Sequence, residues 1–89
     1  MNILYGKKFN KDIDAISHDS KTKKRLGELI VKLKEADSIS QIQGVKKIAG
    51  YEDYYRIRLS DYRIGLRYHN NNVEMIRFLH RKEIYRRFP

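Results

Sequence analysis

YRIRLSDYRIGLRY, residues 55–68, alternates two kinds of side chain with a period of two. Tyr55, Ile57 and Leu59 fall on one side of an extended strand, and Arg56 and Arg58 on the other. Ser60-Asp61 then offers a tight turn. Tyr62, Ile64, Leu66 and Tyr68 follow, alternating with Arg63, Gly65 and Arg67. The pattern predicts a hairpin with one apolar face and one arginine face. Four arginines on neighbouring strands repel one another, which a bound anion would relieve. A solvated basic sheet face is the plain alternative.

Outward from this hairpin the same logic holds. Asn70-Asn71-Asn72 is a turn signal, because asparagine tolerates positive φ. Val73 to Leu79 reads as a third strand, more continuously apolar and so more central. The segment from about Arg81 to Phe88 reads as a short basic helix or tail. On the N-terminal side, residues 37–53 form a connector with Gly44 and Gly50, and with a short turn or edge strand near Val45–Ile48.

Before the connector the period changes to that of a helix. Leu26, Leu29, Ile30 and Leu33 stand at i, i+3, i+4 and i+7, which predicts a helix from about Lys21 to Ala36 with a lysine-rich outer side. His18-Asp19-Ser20 offers its N-cap. Gly27 lies inside it, a residue that would allow a close helix–helix approach. Phe9, Ile13 and Ile16 predict an earlier helix from about Lys7 to Ile16, and Asn2–Tyr5 a short opening strand. The order β-α-α-β-β-β makes residues 1–89 a single α+β domain. Two N-terminal helices pack on one face of a small antiparallel sheet, and the other face carries arginines.

Composition narrows the partners. The chain has 20 Lys and Arg against 11 Asp and Glu, a formal charge of +9, which favours a polyanion such as nucleic acid. Residues 1–43 are rich in lysine, whereas eight of the nine arginines and six of the seven tyrosines lie in residues 44–89. Arginine offers a planar fork of donors suited to phosphate, and tyrosine can stack on bases. There is no cysteine, and His18, His69 and His80 are scattered, so neither a disulfide framework nor a metal-ligand motif is present. No apolar run is long enough to span a bilayer, and no secretory signal opens the chain. The expectation is a cytoplasmic protein without membrane, metal or cofactor.

Two groups of residues carry chemistry. Arg56, Arg58, Arg63 and Arg67 share the basic face of the hairpin, with Lys46 and Lys47 adding charge just before it. The lysines alone would pass as an exposed loop. His80-Arg81-Lys82-Glu83-Ile84-Tyr85 follows the third strand. Histidine and tyrosine move or orient protons, and arginine stabilises a charged pentacoordinate phosphorane. Such a set suits metal-free RNA cleavage by an attacking 2′-hydroxyl. A surface histidine and a core tyrosine are the bland alternatives.

GYEDYYRIRLSDYRIGLRY (50–68) and RFLHRKEIYRRFP (77–89), with the helix pair before them, resemble the RelE/ParE toxin superfamily on its RelE-like side. The resemblance implies a βααβββ toxin of a type II toxin–antitoxin system that enters the ribosomal A site and cuts mRNA. It implies a neutralising antitoxin, assembled with the toxin as a hetero-oligomer. By motif position, Arg56 and Arg58 stand where the prototype carries two active-site lysines. Arg63 matches an arginine on the scissile phosphate, and Arg81 and Tyr85 match the closing arginine and tyrosine. Arginine keeps the charge of lysine but does not release a proton usefully. Proton transfer is therefore expected from His80, with Tyr85 or a ribosomal group assisting. The expected catalytic set is Arg63, His80, Arg81 and Tyr85, and the expected substrate-binding set Arg56, Arg58, Arg67, Lys46 and Lys47. The alternatives are the gyrase-inhibiting ParE branch of the superfamily and a non-catalytic basic RNA-binding module.

Overall fold

The hairpin of residues 55–68 lies in the middle of a five-stranded sheet in the computed structural model, which describes all residues 1–89. Strands β1 (Asn2–Tyr5), β2 (Val45–Lys47), β3 (Tyr54–Leu59), β4 (Tyr62–His69) and β5 (Asn72–His80) assemble in the order β1-β5-β4-β3-β2. Helices α1 (Lys7–Ala15) and α2 (Ser20–Glu35) connect β1 to the rest through a single 3₁₀ turn at Ile39–Gln41. A third helix, α3 (Arg81–Arg87), follows β5 directly.

β2 to β5 form the expected antiparallel meander, and β1 joins its edge parallel to β5. The two hairpin turns are set by backbone conformation. Ser60 has φ 56°, and Asn70 and Asn71 have φ 49° and 63°, the pair of positive values that a type I′ turn requires.

Alternation puts Ile57, Ile64 and Leu66 on one face, all fully buried. They meet Leu26, Leu29 and Leu33 of α2 and Phe9 of α1 in a core of 13 buried residues. β5 contributes Val73, Met75 and Phe78 to the same core, which strict alternation forbids. A β-bulge resolves this. Gly65 pairs with Arg77 while Leu66 pairs with Met75, so Ile76 is an extra residue and the phase of the strand shifts by one. Asp12 of α1 grips the strand just beyond the bulge. Its carboxylate accepts from Arg77 Nε at 2.8 Å, Arg77 Nη2 at 3.0 Å and the Phe78 backbone N–H at 2.9 Å. The side-chain hydrogen bonding to Asp12 holds the Arg77 guanidinium above its ordinary pKa.

Asp19 caps α2, its carboxylate accepting from the Thr22 N–H at 3.0 Å and the Thr22 hydroxyl at 2.8 Å. Gly27 does not serve a close helix contact. A Cβ there would meet nothing within 4 Å.

The opposite face of the sheet is not left wholly to arginine. α3 folds back over β4 and β5 and buries Leu79, Ile84 and Phe88 in a second small core, with Ile48, Tyr54 and Ile76 at its margin. Tyr85, on the outer side of α3, is exposed rather than part of any core.

Candidate functional site

The arginines of the hairpin take their positions from strand register. Lys46 lies opposite Arg56, Arg56 opposite Gly65, and Arg58 opposite Arg63. Even-numbered residues of β3 and odd-numbered residues of β4 therefore point away from α1 and α2, onto the side where α3 lies. Lys46, Arg56, Arg58, Arg63 and Tyr85, together with Gly44 and Val45, line one open cleft of about 360 Å³. Gly44 reaches the positive φ of 82° that brings the chain round beside Arg58, and its carbonyl accepts from the Arg58 N–H at 3.1 Å.

Two contacts order the cleft. The Arg56 guanidinium carbon lies 4.5 Å from the centre of the Tyr85 ring, a cation–π pair between β3 and α3. Arg63 donates through Nη1 to the carbonyls of Ser60 at 3.0 Å and Tyr62 at 2.9 Å. This fixes the guanidinium by one nitrogen and leaves its other donors for a ligand. No carboxylate lines the cleft, so four cations face one another without an acidic partner. Such a site favours an anion, and the planar forks match phosphate oxygens.

Four residues expected at the site lie elsewhere. Lys47 is on the other side of β2's alternation and lines a separate shallow depression with Gly50 and Tyr51. Arg67 stands opposite Tyr54, 4.0 Å from Asp53, which also meets His69 at 3.1 Å. His80 caps α3, its Nδ1 accepting from the Lys82 N–H at 3.2 Å. Its ring meets the edge of Tyr62, which is stacked at 4.9 Å on Phe78 of the main core. Arg81 opens α3, and its backbone N–H donates to the Asp61 carbonyl at 2.8 Å, which ties the helix to the β3–β4 turn. What the sequence pattern did not show is the pairing of Tyr85 with Arg56. It needs a helix that doubles back over the sheet, and a seven-residue segment carries too little periodicity to reveal one.

Comparison with known proteins places this arrangement. Residues 3–85 match the family described as the ParE toxin of the type II toxin–antitoxin system parDE. Toxin RelE3 of Methanocaldococcus jannaschii is 37% identical over 90 residues, covering all of both chains. A solved RelB–RelE antitoxin–toxin complex from Methanococcus jannaschii contains a chain 36% identical to this one, with a TM-score of 0.81 over 97% of this chain and 99% of that one. The YoeB dimer of Staphylococcus aureus shares the fold at 18% identity, with a TM-score of 0.73 over 90% and 95% of the two chains.

Proposed function

Because the chain belongs to the RelE/ParE superfamily of type II toxins, we propose that it cleaves mRNA on the ribosome. The observation that carries this reading is the carboxylate-free cleft of Lys46, Arg56, Arg58 and Arg63 with Tyr85 at its mouth. In the proposed reaction an RNA 2′-oxygen attacks the adjacent phosphorus and the bond to the 5′-oxygen breaks. The 2′-hydroxyl loses a proton and the departing 5′-oxygen gains one. Arg63 and Arg58 hold the negative charge that grows on the phosphorane oxygens, and Arg56 with Tyr85 stacks on or orients the flanking nucleotide. Arginine is too basic to exchange the protons. Lys46 and Tyr85 are the other proton-bearing groups of the cleft, and His80, outside the cleft at the start of α3, is a third candidate for proton transfer. Cleavage would take place in the cytoplasm, where ribosomes and mRNA meet.

The partner in this reading is an antitoxin with an acidic segment, which neutralises the toxin by covering the cations of the cleft. Its support is the RelB chain bound in the related complex together with the +9 charge of this chain. Arg63→Ala is expected to lower single-turnover cleavage on programmed ribosomes by roughly a hundredfold to a thousandfold, the loss typical of a removed transition-state donor. Full cleavage by that variant would refute the assignment. Lys46→Ala, Tyr85→Phe and His80→Ala, compared in the same assay, identify the proton-transfer group by the largest fall. Induction that leaves mRNA intact and triggers a DNA-damage response would replace this reading with gyrase inhibition.

A further inference from the structure

We infer that Gly65 and Phe88 are positioning residues for the cleft: Phe88 packs onto the bare backbone of Gly65 and so holds Tyr85 over Arg56. The inference rests on the cleft being the working site proposed above.

Register and helix spacing bring the four residues together. Arg56 and Gly65 are direct cross-strand partners on β3 and β4. Tyr85 and Phe88 are three residues apart, at the end of α3, and the Phe88 N–H donates to the Ile84 carbonyl at 3.0 Å. One ring of this pair therefore lies over each member of the strand pair. Tyr85 stands over Arg56 at 4.5 Å. A Cβ built on Gly65 would come within 2.6 Å of Phe88 Cγ and 2.7 Å of Cδ1 and Cδ2. No side chain fits between them, so the seat for Phe88 exists only because residue 65 is glycine.

The rest of the attachment is thin. α3 buries only Ile84 within its length and Phe88 just after it, against Leu79 and the edge of Tyr54, whose ring centre is 5.8 Å from that of Phe88. Tyr85 itself is 65% exposed, so its own packing does not hold it in place. Removing the Phe88 ring frees the end of the helix that carries Tyr85. Adding a methyl group at Gly65 drives the ring out of its seat and has the same result.

The test joins a structural signal with activity. The Tyr85 ring current should shift the Arg56 side-chain proton resonances, and Tyr85→Ala defines the unshifted position. Phe88→Ala is expected to move those resonances toward that position although Tyr85 is still present, and to lower ribosome-programmed cleavage by roughly tenfold or more. In a Tyr85→Ala background it should lose nothing further, because it acts through that ring. Gly65→Ala should behave like Phe88→Ala, and the double variant should be no worse than Phe88→Ala alone.

Unchanged Arg56 resonances in folded Phe88→Ala, full cleavage by that variant, or an equal further loss on top of Tyr85→Ala would each overturn the inference. If Phe88→Ala does not fold, Phe88→Leu carries the same comparison, since leucine keeps bulk but not the ring that covers Gly65. If the wild-type protein does not cut RNA at all, the cleavage reading fails, and the resonances still decide whether Phe88 positions Tyr85.

Discussion

The two faces of the sheet use the same alternating strands for opposite purposes. On the side of α1 and α2, 13 buried residues form a continuous apolar core. On the side of α3, three apolar side chains are buried, and beyond them four cations gather around a cleft. The first face can stabilise the fold through apolar burial, which scales with the area removed from water. The second gives up much of that burial and places like charges side by side. A chain of 89 residues has little stability to spare. The large core on one face is what allows the other to be occupied by arginines.

Truncation on each face tests this division. Leu33 and Ile84 are both fully buried, one in each core. Leu33→Ala should cost about 2–5 kcal/mol of global stability and lower the midpoint of chemical denaturation for the whole sheet. Ile84→Ala should act more locally. Its expected signature is faster amide exchange in α3 while β3 and β4 stay protected. Equal global losses from the two variants would mean that α3 is part of the main cooperative unit.

Next in size is the clamp between α1 and β5. Asp12→Ala leaves the Arg77 guanidinium and the Phe78 N–H without their acceptor. An ion pair this enclosed should cost about 3 kcal/mol when one partner is removed. The loss should appear in the denaturation midpoint with the cleft cations untouched. A cost below about 0.5 kcal/mol, the level of ordinary surface changes, would show that the clamp contributes little.

On the cationic face the expected signs separate. Arg58 lies directly opposite Arg63, a like-charged cross-strand pair. Arg58→Gln should leave stability within about 0.5 kcal/mol of the parent, or raise it slightly, because it removes repulsion. Under the proposed function the same change should weaken RNA binding and flatten its dependence on salt, since that function gives Arg58 a phosphate contact. A substantial fall in stability would make Arg58 a structural residue and undo the contrast between the faces.

Much of this contrast was legible in the sequence because it rests on period. Tyr55–Tyr68 divides into a buried and a presented set by simple alternation, and Leu26, Leu29 and Leu33 mark the core side of α2 by helical spacing. The remainder depends on contacts that no local pattern records. β1 is four residues long, and its parallel docking on β5 is set by the helices that follow it. The bulge at Ile76 lies in a largely apolar run, where the three-residue spacing of Glu74 and Arg77 is too slight a mark to locate a shift of phase. Ile84 and Phe88 are two apolar residues in a basic segment, too few to show that α3 folds back across the arginines. That fold-back is also why Tyr85 enters the cleft while His80, five residues earlier, faces Tyr62 near the main core.

The helix ends extend the comparison to pH. α2, on the core face, is capped by the Asp19 carboxylate, and α3, on the cationic face, by the His80 imidazole. The Thr22 backbone and side-chain hydrogen bonds hold Asp19 below its reference pKa of 3.8. A carboxylate with a depressed folded pKa stabilises the native state above its unfolded pKa. That contribution is lost as the pH falls through the lower, folded value. The cap should therefore persist through neutral and mildly acidic solution and fail only below about pH 3.8, with faster amide exchange at Thr22 as its first sign. Asp19→Asn keeps an acceptor without the charge, so it should remove this acid-dependent step while preserving much of the cap. An acid-dependent step of the same size in that variant would assign it to another carboxylate.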